Sequence, residues 1–234
     1  MWISSIINQP VMFTIRYATE ADCPALANIN VKAFGSSPFL ANIFPGASLE
    51  SMMPFKADRA LKRLVDPTTH VLLTTDYETD SVVGYCRWII PQGIGYDTEP
   101  LSLSDEGKAA LEDPMRFAPQ PMNEEIQNAF KRLLEEKRKQ YTTEDDFSES
   151  FTCSIYIEAG HANNAVLDFV ATLPNYQGNG IGSGLLRWGL EKADALQRRV
   201  YLEATPEGYP LYCKYGWKTV GEATIDFTQY GGQG

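Results

Sequence analysis

Pro174-Asn175-Tyr176-Gln177-Gly178-Asn179-Gly180-Ile181-Gly182-Ser183-Gly184-Leu185-Leu186 is the stretch on which the reading of this chain turns. An apolar run, residues 165–173, leads into it, and an amphipathic segment ending near Gln197 leads out. The order is therefore strand, glycine turn, helix. Alternating glycines let the backbone pass close to a ligand, and the first amide N–H groups of the new helix have no intrahelical partner. A turn built this way is an anion cradle.

Two other phosphate-binding loops are also made of glycine, and neither fits. A Rossmann turn requires Gly-x-Gly-x-x-Gly, but counting from Gly178 the third position is Ser183, and from Gly180 it is Leu185. A Walker loop requires a following Gly-Lys-Ser/Thr, which is absent. What stands here is Gln-x-x-Gly-x-Gly (Gln177, Gly180, Gly182), with Pro174 three residues before the glutamine and Leu185-Leu186 in the helix start. This arrangement resembles the acetyl-CoA pyrophosphate loop of the GNAT superfamily of N-acetyltransferases. A plain connector would need one glycine rather than this set.

The rest of the composition is compatible with such a protein. The chain has 234 residues, 44% of them hydrophobic and 12% aromatic, enough for one large domain with a substantial core. A formal net charge of -10 repels polyanions, so no nucleic-acid partner is expected, and an amine would be steered favourably toward the surface as a whole. Cys23, Cys86, Cys153 and Cys213 are scattered, with only His70 and His161 as possible co-ligands, so reduced thiols, no metal site and a cytoplasmic location are expected. The first 13 residues lack the basic start and long apolar centre of a signal peptide. No apolar run approaches the roughly 20 residues of a membrane span, and no membrane partner is expected.

Read in order, residues 13–17 alternate as a strand, and a helix follows over 22–34 through Leu26, Ile29 and Ala33. Residues 35–54 read as an irregular aromatic loop able to shape a pocket, and residues 55–65 return to helical spacing through Ala57, Leu61 and Leu64. A hairpin of two strands, 71–75 and 82–90, comes next, its Val83-Gly84 pair resembling the family's third strand. Strands at 165–172 and 200–204, a short helix within 205–217, one or two strands over 220–227 and a loose glycine tail, 231–234, complete the pattern. Leu211-Tyr212-Cys213-Lys214-Tyr215-Gly216-Trp217 resembles the family's C-terminal Leu-Tyr-x-Lys-x-Gly-Phe element.

Residues 91–164 break the family's minimal pattern, which joins its third and fourth strands by a short turn. They carry a proline-rich and acid-rich loop, a helix over 123–141 with Ile126, Phe130, Leu133 and Leu134 on one face, and an acidic run at 143–146. This insertion reads as a lid or wall of the acceptor pocket, or as a decorating surface helix. The resemblance as a whole implies a single α/β domain spanning residues 1–234. It would hold a mixed, mostly antiparallel sheet splayed between its fourth and fifth strands, with helices on both faces.

The resemblance also implies direct acetyl transfer from acetyl-CoA to a primary amine in one ternary complex. Gln177, Gly178, Asn179, Gly180, Ile181, Gly182 and Ser183 would hold the pyrophosphate, while Val170, Ala171 and Thr172 would pair with the pantetheine arm as an added strand does. Tyr212 matches the family tyrosine that protonates the leaving thiolate, with Tyr215 as the fallback; a phenol with an ordinary pKa of about 10 is protonated at neutral pH. For the base, Glu203 and Asp168 are carboxylates in otherwise apolar strands whose burial would raise their pKa toward neutrality, and His161 is a weaker candidate. The acceptor is expected to be a small molecule, and the tyrosine-rich helix looks nearest to the puromycin-type branch. A protein N-terminal or lysine acetyltransferase, or a CoA-binding module without turnover, are the alternatives. A strand near the C terminus is able to pair across a homodimer.

Overall fold

Strand register, rather than chain order, organises the molecule. The computed structural model describes residues 12–93, 95–99, 101–141, 155–159, 165–196 and 199–233. Among them β1 (Phe13–Tyr17), β2 (Thr69–Asp76), β3 (Val82–Ile89), β4 (Ile155–Ala159), β5 (Ala165–Thr172), β6 (Val200–Glu203) and β7 (Lys218–Glu222) form one sheet in the order β1-β2-β3-β5-β6-β4-β7. Only β5 and β6 run parallel; every other neighbouring pair is antiparallel. The sheet is thus mixed and mostly antiparallel, and the expected fourth and fifth strands are β5 and β6.

Residues 91–164 do more than decorate this sheet. They supply β4, which lies between β6 and β7 and pairs antiparallel with both. The C-terminal strand starts earlier than expected, at Lys218, and ends at Glu222; residues 223–226 are irregular and a 3-10 turn, Phe227–Tyr230, follows. The same insertion contributes α4 (Asp105–Glu112) and α5 (Glu124–Tyr141), the second of which buries Ile126, Phe130, Leu134 and Arg138. His161, Cys153 and the acidic run 143–146 lie outside the described residues.

Helices cover both faces. One face carries α1 (Cys23–Phe34) and α3 (Leu49–Leu64), which bury Leu26, Ile29 and Leu61 against Leu73, Tyr85 and Phe169 of the sheet. The other carries α6 (Ile181–Ala195), whose Leu185 and Leu186 pack with Cys86, Trp88 and Leu167. Gly84 permits this approach, since a Cβ there would stand 2.7 Å from Cγ2 of Ile181. Among the described residues no helix is long and apolar enough to cross a membrane.

The expected irregular loop at 35–54 is largely helical. Ser37 Oγ accepts from the Leu40 amide to start α2 (Pro38–Ile43), and Ser48 Oγ accepts from the Ser51 amide to start α3 well before Phe55. These serine caps outweigh the prolines, because Pro38 sits in a first helical turn, where no N–H is needed. The C-terminal tail, expected to be loose, is docked. The Gly232 amide donates to the Phe227 carbonyl at 2.8 Å and the Gln233 amide to Asn42 Oδ1 of α2 at 2.5 Å.

Candidate functional site

The site begins at an irregularity in β5. Arg87 of β3 stands opposite Phe169, whereas the next residue, Trp88, stands opposite Leu167, so Asp168 is the extra residue of a bulge. The bulge switches the facing of the strand: Leu167 packs toward α6, Phe169 toward α1 and α3. Pairing with β6 ends at the same point, after Ala165, Val166 and Leu167. From Asp168 to Thr172 the strand keeps β3 on one side and has no β6 partner on the other. The splay expected between these two strands is present. Val170, Ala171 and Thr172 all lie along its open edge.

Beyond that edge the chain turns through Pro174–Tyr176 into the glycine loop. Tyr176 Oη donates to Asp76 Oδ2 at 3.1 Å and Gln177 Nε2 donates to the Thr172 carbonyl at 3.3 Å, so the loop is tied to the ends of β2 and β5. Gly178 and Gly180 take left-handed backbone, with φ of 80° and 83°. Gly180 also caps α6 with no side chain. The consequence is chemical: from Gly178 to Ser183 no backbone amide donates to any other described residue. Six successive N–H groups at the positive end of a 15-residue helix form an anion site that fits a pyrophosphate.

Tyr212 lies in α7 (Tyr209–Lys214), which packs on the first turn of α6; a Cβ at Gly182 would stand 3.3 Å from Leu211. The ring is 7% exposed and meets Trp217 edge-on at 5.8 Å. Burial pushes its phenol above the ordinary value, and no described group hydrogen-bonds the hydroxyl. Tyr215 is committed elsewhere, its hydroxyl within 3.5 Å of both Arg187 and the Ser183 carbonyl.

Neither expected base is a lone carboxylate. Asp168 forms an ion pair with Arg87 at 2.7 Å, and Glu203 is gripped by Arg138 of α5 through two 2.7 Å hydrogen bonds. Burial lifts the Glu203 carboxyl above its usual value against the opposing pull of Arg138. With both oxygens engaged, Glu203 is better suited to position than to take a proton.

On the α1 and α3 side of the opening lies a cavity of about 130 Å³. Phe34, Phe39, Tyr85 and Phe169 make its aromatic walls, and Thr205, just after β6, closes one end. The insertion backs this wall, with the Phe130 ring of α5 tilted against that of Phe39 at 4.2 Å between centroids. Lys56, Arg59, Arg63 and Arg87 also line it, and sequence reasoning missed all four. Lys56, Arg59 and Arg63 stand at i, i+3 and i+7 of α3, a helical spacing that runs beside the apolar series Ala57, Leu61 and Leu64.

The model of the acetyltransferase (GNAT) family matches residues 122–217, a span that holds the splayed strand, the amide loop, α6 and α7. Over that span the chain matches the GNAT acetyltransferase family. A protein called an acetyltransferase from Stachybotrys chartarum is 25% identical to this chain over 233 residues, covering 92% of this chain and 85% of its own. Two solved structures share the fold. One, described as histone acetyltransferase HPA2 and related acetyltransferase from Corynebacterium glutamicum, has a TM-score of 0.53 at 22% identity, covering 92% of this chain and 89% of that one. A transcriptional regulator from Bacillus halodurans has a TM-score of 0.50 at 16% identity, with 92% and 99% covered.

Proposed function

We propose that this acetyltransferase moves the acetyl group of acetyl-CoA to a primary amine of a small molecule, by direct attack within one ternary complex. The observation that carries the proposal is the open edge of β5 at residues 168–172, which has free amides beyond its end on one side of the sheet and a small aromatic cavity on the other. Amides 178–183 hold the pyrophosphate, with Gln177 fixing the loop, and the pantetheine arm adds to Val170, Ala171 and Thr172 as an extra strand. This directs the thioester toward the Asp168 bulge, where the cavity opens.

The amine nitrogen forms its bond to the acetyl carbon, the C–S bond breaks, and the proton of Tyr212 goes to the departing thiolate. The amine loses its own proton to water in the opening, because Asp168 and Glu203 are held by Arg87 and Arg138. A cavity of this size favours a small acceptor over a peptide segment. A thiol-release assay with acetyl-CoA and a panel of primary amines tests the proposal. Acetyl-CoA binding with no CoA released by any amine would mean a donor-binding module without turnover, and release only with peptides would mean a protein acetyltransferase.

A further inference from the structure

Four basic side chains line the cavity beside the β5 opening. Lys56, Arg59 and Arg63 occupy one face of α3, and Arg87 reaches in from β3. On the opposing side Asp168 is already paired with Arg87, and Glu203 with Arg138. Asp66, which also acts on Arg63, has an oxygen engaged by the amide and hydroxyl of Thr68. Among the described residues no carboxylate lies within ion-pair distance of Lys56 or Arg63.

Such crowding is costly to the free protein. Burial, with the neighbouring guanidiniums, depresses the Lys56 ammonium to about 7 and Arg59 to about 10, and burial also lowers Arg63. Cations withdrawn from water are normally matched by an anion, and among the described residues half-buried Lys56 and Arg63 have no carboxylate within ion-pair distance. Guanidinium forks match the planar or tetrahedral oxygens of carboxylates and phosphates. On the same wall Asn30 Oδ1 is buried without a hydrogen-bond partner, an acceptor suited to an N–H donor.

Resting on the acetyl-transfer reading above, we infer that the acceptor amine carries an oxyanion, a carboxylate or phosphate, which docks on Lys56, Arg59 and Arg63 while its amine points to the β5 opening. The substrate class is then a small amino acid or aminoalkyl phosphate, not a polyamine. The negative charge of the whole surface steers the other way, but it does not describe this cavity.

Matched amines give the test: phenylalanine against phenethylamine, O-phosphoethanolamine against ethanolamine, and spermidine as a polycation. The anionic member of at least one pair should have kcat/KM more than 10-fold above its neutral partner, and the carboxylate and phosphate pairs tell the two oxyanions apart. Lys56→Gln and Arg63→Gln, made separately, should bring that ratio to within about two-fold, while Lys62→Gln, on the exposed face of α3, leaves it unchanged. Preference for the neutral amines or spermidine, or an unchanged ratio in both cavity variants, overturns the inference. Calorimetric titration of the protein with phenylalanine and O-phosphoethanolamine separates the two levels. Saturable binding weakened by Lys56→Gln, with no CoA released, keeps the anion site and removes the acetyl-transfer reading; absence of binding by both removes the anion site whatever the turnover.

Discussion

Burial keeps the Tyr212 phenol protonated at rest, and in the proposed reaction it is the negative charge developing on the sulfur beside it that draws the proton away. The hydroxyl has no competing partner among the described residues, so its loss should be felt in chemistry and not in folding. Tyr212→Phe is expected to lower kcat about 10²-fold while the KM for acetyl-CoA stays within two-fold, as thiol release would record. Equal loss in the Tyr215→Phe variant would move the acid role to Tyr215. Arg138 and Glu203 give a second prediction at this scale. Both side chains are nearly buried, 10% and 5% exposed, so Arg138→Leu strands a carboxylate in the interior. A cost of about 3–5 kcal/mol follows, roughly 10 °C in melting temperature for a protein of this size. Adding Glu203→Leu should restore most of it. If the double variant melts as low as Arg138→Leu alone, the pair is not what holds α5 to the sheet.

At the scale of elements, the loop and helix α6 show why part of this protein is legible from sequence and part is not. Pro174, Gln177, Gly180 and Gly182 act within a dozen residues of one another, so their spacing already carries the turn, the helix start and the free amides. The splay needed only the ladder-ending proline and the family resemblance. By contrast, Asp168 and Glu203 looked like candidate bases because their arginine partners come from elsewhere: Arg87 from an adjacent strand and Arg138 from an inserted helix 65 residues away. The cationic face of α3 was hidden for the same reason, since only tertiary packing sets Phe169 and Tyr85 across from it. Strand β4 was missed because its partners, β6 and β7, lie more than 40 residues on. The legible part yields its own prediction. Gly180 caps α6 at φ 83°, a conformation costing a β-branched residue about 1–3 kcal/mol, and a side chain there would project into the open space beside the loop. Gly180→Val should weaken acetyl-CoA binding at least 10-fold by calorimetry while lowering the melting temperature by only a few degrees. Unchanged binding would move the donor site away from this loop.

For the molecule as a whole, the acceptor cavity depends on segments far apart in the chain. Its α2 wall, which carries Phe39 and Leu40, is held from behind by α5 and from the end of the chain by the 3-10 turn at Phe227–Tyr230. Asn123 Nδ2 donates to the Tyr230 carbonyl at 2.9 Å, and Asn42 of α2 accepts from the Gln233 amide, so the last residues clamp α2 against α5. The donor side, with β5, the amide loop and α6, is braced elsewhere, by Asp76 at the end of β2 and by Cys86 and Trp88 of β3. Ending the chain after Asp226 should therefore act on one substrate and not the other. The amine KM is expected to rise several-fold and the melting temperature to fall by a few degrees, as α2 loses Phe227 and its tail contact. Affinity for acetyl-CoA should stay within two-fold. A truncated protein that loses both substrates equally would mean that the two halves of the site are braced together, and that the tail supports the sheet rather than the α2 wall.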